Sequence, residues 1–170
     1  MKIIETERLH IRYMKTEDAQ FMLELLNEPD WIKYIGDRGI RTVEEARKYI
    51  VDGPMAMYEE EGFGLYLVEL KESKIPIGIC GLIQRDFLKD VDLGFAILSE
   101  FWGKGYAYEA ARATLTFGHE VLGFNRIAGF TSLDNEKSIN LLLKLGMAEE
   151  GNIKFGSTSE DVRLFAIKYK

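Results

Sequence analysis

The feature that most constrains this chain is a glycine-rich turn, residues 102–107, which lies between an apolar strand and a long amphipathic helix. Residues 92–98 are apolar on both faces of an extended chain, and this pattern predicts a central strand. After the turn, small and apolar residues recur at helical spacing over residues 107–122. The first N–H groups of a helix lack intrahelical partners, and the helix dipole adds positive potential there. The segment therefore predicts an anion-binding site at a helix start.

Two well-known glycine-rich phosphate sites do not fit this turn. Gly103 and Gly105 allow the backbone to approach an anion closely. In a P-loop, however, a Lys-Ser/Thr pair follows the glycines, whereas Lys104 lies between them. In a dinucleotide-binding fingerprint a third glycine is required where Tyr108 stands, and no strand–loop–helix unit opens the chain. Lys104 either adds charge at the rim of the site or faces solvent.

The remaining periodicity predicts a single α/β (α+β) domain over residues 1–170, with one sheet and helices on both faces. Helices are expected after the caps Thr16 and Thr42, over 29–35 and over 136–145, and Gly53-Pro54 is expected to interrupt or end the helix that Thr42 begins. Strands are expected over 9–13, 63–70, 75–83, 92–98, 126–132, 147–155 and 162–169.

Composition excludes several classes of protein. The net charge of −6 argues against nucleic acid as a partner, because phosphate contacts need clustered Lys and Arg. Cys80 is the only cysteine, so no disulfide framework and no zinc–thiolate site are expected, and Cys80 is predicted to be buried in a strand. No apolar run reaches the roughly 18 residues of a membrane span. The charged N-terminus lacks the apolar stretch of a signal peptide, and a cytoplasmic protein without a bound metal is predicted.

Three separated blocks resemble the GNAT N-acetyltransferases, and most closely the RimJ/RimL-like branch that acetylates ribosomal-protein N-termini. Residues 92–98 and 101–110 resemble the acetyl-CoA motif of that family. Residues 135–147 resemble its Asn-x-x-Ser/Ala helix, and residues 4–12 are typical of the opening of the branch. The resemblance spans nearly the whole chain. It implies the GNAT fold: a single mixed, mostly antiparallel central sheet of about six to seven strands, flanked by helices on both faces.

The resemblance implies acetyl-CoA as the cosubstrate and assigns its contacts. Strand backbone groups would bind the pantetheine arm, backbone N–H groups of the turn would hold the pyrophosphate, and the start of the next helix would complete the site. The residues implied are Phe95, Ala96, Ile97, Gly103, Lys104, Gly105, Tyr106, Ala107, Tyr108, Asn135 and Ser138. Asn135 is also a good N-cap on structural grounds alone. Trp102 stands where the family often has Gln or Arg, a change expected to leave the backbone donors intact.

The catalytic groups are less well defined by the sequence. Many family members have a tyrosine acid seven residues after the asparagine, and Leu142 occupies that position here. Ser138 is the alternative that the resemblance suggests for assisting the leaving thiolate, whereas the structural alternative is a hydrogen bond to the Asp134 carbonyl. Asp92 is the candidate base that would take the amine proton through a water, or else an exposed strand-edge residue, which is the interpretation we favour.

The leading hypothesis is an acetyl-CoA-dependent N-acetyltransferase that acts on a primary amine by direct transfer in a ternary complex. The acceptor is a protein N-terminal amine, such as that of a ribosomal protein, or a small-molecule amine. A homodimer is compatible with the family. The alternatives are a non-catalytic acyl-CoA-binding or regulatory module on the same fold and a different nucleotide-binding enzyme.

Overall fold

Eight strands form one sheet in the order β1-β2-β3-β4-β5-β6-β8-β7. All neighbouring strands pair antiparallel except β5 and β6, which run parallel. In the computed structural model, which describes residues 2–170, the strands are Lys2–Glu5 (β1), Leu9–Arg12 (β2), Leu65–Leu70 (β3), Pro76–Ile83 (β4), Asp92–Ile97 (β5), Arg126–Ser132 (β6), Ala148–Lys154 (β7) and Asp161–Lys168 (β8).

The predicted mixed, mostly antiparallel sheet is confirmed, with one strand more than expected. That strand is β1, a four-residue edge strand in which no residue is fully buried. Because it is four residues long and its two apolar residues, Ile3 and Ile4, are adjacent, it has no alternation of apolar and polar residues that a sequence could reveal.

Six α-helices flank the sheet: Ala19–Leu26 (α1), Pro29–Tyr34 (α2), Val43–Ile50 (α3), Ala56–Glu61 (α4), Tyr106–Glu120 (α5) and Glu136–Lys144 (α6). The expected cap at Thr42 is present, since its hydroxyl accepts the Glu45 N–H. The α-helix that Thr42 begins is interrupted around Gly53-Pro54, as expected. A π-helical turn, Val51–Met55, contains Pro54 and joins α3 to α4, because a widened turn accommodates a proline that has no N–H to donate.

The two faces of the sheet carry separate apolar cores. One core packs against α1 to α4 and includes Ile79 and Leu98, while the other packs against α5 and α6 and includes Leu93 and Ile97. Alternate residues of β5 therefore point to opposite cores, as expected for a central strand. Cys80 is fully buried in β4, as predicted.

The sheet opens between its two parallel strands. β5 and β6 share a single register pair, Asp92 with Ala128, and the Ala128 N–H donates to the Val91 carbonyl over 2.9 Å. Beyond that point β5 continues along β4 as far as Ile97, and β6 continues along β8 as far as Ser132. The strands thus diverge toward their C-terminal ends and leave a gap in the sheet, where both the glycine-rich turn and α6 begin.

Candidate functional site

The turn at residues 102–107, called the glycine loop below, presents a row of free backbone donors. Gly103 and Gly105 have φ angles of 77° and 82°, the left-handed region that favours glycine. The first hydrogen bond of α5 is donated by the Glu109 N–H to the Gly105 carbonyl. None of the six backbone N–H groups from Gly103 to Tyr108 donates to a group within residues 2–170. Such a row at the start of a 15-residue helix is suited to an anion.

The glycine loop is braced by the opening of the chain. Arg8 donates from Nη1 to the Lys104 carbonyl over 2.9 Å and from Nε to Glu109 Oε1 over 2.7 Å. Its guanidinium carbon lies 4.4 Å from the centre of the Tyr106 ring. Thr6 donates to Glu109 Oε2 over 2.6 Å. Although partial burial opposes ionisation, the hydrogen bonds from Thr6 and Arg8 hold the pKa of Glu109 below its ordinary value.

This brace was not predicted. The opening residues 4–12 were identified only as typical of the family, and their contact with residues 104–109 joins segments about a hundred residues apart. Lys104 itself is exposed, which fits both a charge at the rim of the site and a side chain that faces solvent.

The edge of β5 that faces the gap is where the resemblance implies the pantetheine arm. The Leu98 N–H donates to the Ile77 carbonyl of β4. In an antiparallel pair, alternate residues of a strand direct their backbone groups to the same neighbour, so those of Ala96 also point toward β4. The backbone groups of Phe95 and Ile97 point the other way, toward the gap. Ala96 therefore has no backbone group to offer at the gap, which corrects the expectation for that residue. The Ile97 carbonyl accepts a 2.7 Å hydrogen bond from the Trp102 indole, so Phe95 keeps the free backbone pair.

The start of α6 meets the glycine loop at the wide end of the gap. At the start of α6, Lys137 Nζ lies 3.8 Å from the centre of the Trp102 ring. At the end of α6, Lys144 Nζ lies 4.3 Å from the centre of the Tyr108 ring of α5. Asn135 caps the helix by accepting the Ser138 N–H over 3.4 Å. The loop after β5 and the helix after β6 thus form the two sides of one cleft.

Ser138 is half-buried rather than enclosed in the core. Its hydroxyl makes no hydrogen bond within residues 2–170, so the structural alternative, a bond to the Asp134 carbonyl, is absent, and the oxygen is open to solvent. Leu142, at the position of the family tyrosine, is 1% exposed and belongs to the core. Ser138 is consequently the hydroxyl of α6 that remains free at the start of that helix.

Asp92 lies at the narrow end of the gap and is buried, with 1% exposure, which overturns the favoured interpretation as an exposed edge residue. The pairing of β5 with both neighbours, together with the packing of α1 to α4, removes it from water. Its Oδ1 accepts a 2.9 Å hydrogen bond from Arg85 Nε. Burial raises the pKa of Asp92 to about 6 even though Arg85 acts in the opposite direction. At neutral pH the carboxylate is therefore ionised and close to its titration range.

The structure brings the predicted residues to one gap from three directions: the glycine loop, the edge of β5 and the start of α6. Trp102 and Arg85 contact residues of β5 beside the gap, and Arg8 braces the glycine loop. Of these three residues, only Trp102 was singled out from the sequence.

Within residues 2–170 no three His, Cys, Asp or Glu side chains are placed to hold a metal ion. None of the helices formed by those residues is both long and apolar enough to cross a membrane.

Comparisons with known proteins agree with this geometry. A family model described as "Acetyltransferase (GNAT) domain" matches residues 8–148. "Uncharacterized N-acetyltransferase YoaA" of Bacillus subtilis is 29% identical over 155 residues, which cover 89% of this chain and 86% of that protein. A solved GNAT-family acetyltransferase from Bacillus anthracis is 27% identical, with a TM-score of 0.80 and 97% of each chain covered.

A fourth likeness concerns the fold alone. The structure described as RimL, a ribosomal L7/L12 alpha-N-protein acetyltransferase in complex with coenzyme A, has a TM-score of 0.84 at 17% identity, with 99% of this chain and 98% of that chain covered. The family model covers most of the chain, including β5, the glycine loop and α6. The chain therefore belongs to the GNAT family of acetyltransferases.

Proposed function

We propose that this protein transfers the acetyl group of acetyl-CoA directly to a primary amine, with both substrates bound at the same time. The observation that carries the proposal is the row of six unpartnered backbone N–H groups from Gly103 to Tyr108, next to a gap in the sheet. A pyrophosphate is the anion that such a row accommodates, because it carries several oxygens that can accept hydrogen bonds at once.

The residues present fit coenzyme A along its length. The N–H groups of the glycine loop would hold the pyrophosphate, and the free N–H and C=O of Phe95 would pair with the amides of the pantetheine arm as a strand neighbour does. Asn135 is committed to capping α6, so we assign it a supporting role. Lys137 lies over Trp102 at the rim and adds positive charge there.

Acetyl-CoA supplies an acetyl group activated as a thioester, whose thiolate is displaced by the amine nitrogen. Only Oδ1 of Asp92 is hydrogen-bonded within residues 2–170, and its other oxygen, Oδ2, is free to take the amine proton directly or through a water. The free hydroxyl of Ser138 would donate a proton to the departing thiolate and regain one from solvent. Leu142 has no group able to do this.

The acceptor is proposed to enter from the face of the sheet opposite the glycine loop, where α1 to α4 pack. Both a protein N-terminus and a small amine are compatible with that opening. The likeness to the RimL structure, described as an acetyltransferase of a ribosomal protein, makes an N-terminal peptide one class to test.

The first experiment measures binding and turnover separately. Thermal unfolding with and without saturating acetyl-CoA reports binding, and release of free CoA against a panel of amines and N-terminal peptides reports transfer. We expect both a rise in Tm and CoA release with some acceptors. The absence of any rise would contradict the proposal. A rise without CoA release from any acceptor would favour the non-catalytic acyl-CoA-binding module instead.

A further inference from the structure

The opening of the gap opposite the glycine loop is bordered by a charged pair and an aromatic cluster. Asp92 follows the parity of Ala96 and Leu98, which point toward α1 to α4. On β6, Phe130 has the parity of Ser132, whose hydroxyl donates to the Tyr34 carbonyl of α2 over 3.1 Å. The two side chains therefore border the gap on the same face of the sheet.

Arg85 is fixed in this opening by both of those residues. Its Nε donates to Asp92 Oδ1 over 2.9 Å, and its guanidinium carbon lies 4.9 Å from the centre of the Phe130 ring and 5.9 Å from that of Phe155. Phe87 packs against both rings, at centroid distances of 6.0 and 5.3 Å. The aromatic faces that would otherwise attract a cationic substrate are thus already occupied by a cation of the protein.

The outer part of the guanidinium has no partner. Neither Nη1 nor Nη2 of Arg85 donates a hydrogen bond within residues 2–170, and neither is sealed from solvent. The side chain as a whole is 26% exposed. The two η nitrogens present the donors that bind a carboxylate in bidentate fashion.

We infer that the acceptor is a primary amine with a carboxylate close to it, and that Arg85 binds this carboxylate while the amine lies at Asp92. This inference rests on the proposed acetyl transfer and specifies its substrate class. The η nitrogens that would bind the carboxylate belong to the same guanidinium group as the Nε that contacts Asp92. The amine and the carboxylate of the acceptor must therefore lie close together in one small chemical group. A free amino acid has that chemistry in its α-carboxylate, and a peptide that begins with Asp or Glu has it in its first side chain. A polyamine lacks it and would be repelled by Arg85.

The test compares acceptors that differ in the carboxylate, with each rate referred to the concentration of neutral amine because a carboxylate also raises the pKa of the amine next to it. One arm pairs free amino acids with their α-carboxamides, and the other pairs peptides beginning with Asp with the same peptides beginning with Asn. CoA release gives kcat/KM for each. We expect the acid member of one pair to be better by about tenfold or more, as for a charge-assisted hydrogen bond pair, and the arm in which this occurs identifies the source of the carboxylate.

Arg85→Gln is then expected to reduce that preference to nearly one. The ratio of acid to amide acceptor is the informative quantity, because Arg85 also touches Asp92 and any change in proton transfer affects both members of a pair equally. Arg85→Lys keeps the charge but not the fork, so we expect a partial loss of preference. Arg112→Gln, on the exposed face of α5, is the matched control and should keep the wild-type ratio.

Each outcome decides the matter. Equal rates for acid and amide acceptors in the wild-type protein, or an acid preference that survives in folded Arg85→Gln, would overturn the inference and leave acetyl transfer intact. If Arg85→Gln does not fold, an unchanged preference in Arg85→Lys would overturn it as well. Binding of acetyl-CoA without CoA release from any acceptor would remove the proposed transfer and, with it, this inference.

Discussion

Replacement of Gly105 by valine tests whether the glycine loop binds the cosubstrate. Gly105 has φ of 82° and ψ of 7° and is the N-cap of α5. A side chain there disfavours the left-handed conformation by about 2 kcal/mol, and more when the Cβ is branched. The loop relieves that strain by returning to negative φ, which turns the neighbouring N–H groups away from their common focus. Space is not the obstacle, because the nearest atom to an added Cβ is the flexible end of Arg8, at 3.4 Å.

The loss of affinity follows from the number of amides that are turned away. A hydrogen bond to a charged group contributes about 1.5–3 kcal/mol. If two of the six N–H groups lose their phosphate contacts, binding of acetyl-CoA weakens by roughly 3–6 kcal/mol, which corresponds to about a hundredfold or more in Kd.

Isothermal titration with acetyl-CoA measures this change, and a second glycine provides the control. Gly62 ends α4 with φ of 82° and ψ of 2°, nearly the same backbone as Gly105, and an added Cβ would contact nothing within 4 Å. Gly62→Val should therefore lose similar stability, roughly 4–8 °C in Tm, and bind acetyl-CoA normally. The reasoning is refuted if Gly105→Val binds acetyl-CoA within threefold of wild type while its Tm falls as much as that of Gly62→Val.

Three further predictions follow from the site. Ser138→Ala should lower kcat by about tenfold to a hundredfold without raising the KM for acetyl-CoA, and an unchanged kcat would make Ser138 structural. Asp92→Asn should abolish the rise of kcat/KM around pH 6, because burial raises the pKa of Asp92 to about 6. Because Asp92 binds more protons in the folded state than in the unfolded state between pH 3.8 and about 6, its own contribution to the free energy of unfolding should fall as pH rises through that window. Denaturant titrations should show this as a change with pH, over the same window, in the difference in free energy of unfolding between the wild type and Asp92→Asn. Arg8→Gln should weaken acetyl-CoA binding by about threefold to tenfold with little effect on kcat, because the Lys104 carbonyl loses its brace, and equal affinity would show that the loop holds its shape without Arg8.

The periodicity of the chain was sufficient to predict every strand except β1 and every long helix. A strand with a buried face or a helix with an apolar stripe repeats apolar residues at a fixed spacing, which can be recognised in the sequence. β1 shows no such spacing, because it is four residues long and its two apolar residues are adjacent. Pro54 marks the interruption of the α-helix, but the residue type does not show that the interruption is a π-helical turn rather than a loop.

The site was predictable to the extent that it is made of backbone. The glycine loop is a local feature, so its residue types and spacing were informative. The environment of Asp92 is not local, since its burial depends on both neighbouring strands and on Arg85, which lies in a connection with no motif. Likewise, nothing at Ala96 itself shows that its backbone groups pair with β4, because the register of the sheet decides it.

The contact between Arg8 and Glu109 also has a consequence for how the protein is made. The two residues are 101 positions apart. During synthesis, more than half of the chain must therefore be made before Glu109 is available to the hairpin of β1 and β2. Closing a loop of that length costs entropy that only native contacts restore, which makes this docking a late event in folding. The glycine loop consequently gains its brace late in folding, and binding of acetyl-CoA to the loop should also slow amide exchange in the opening hairpin, through the contacts of Arg8.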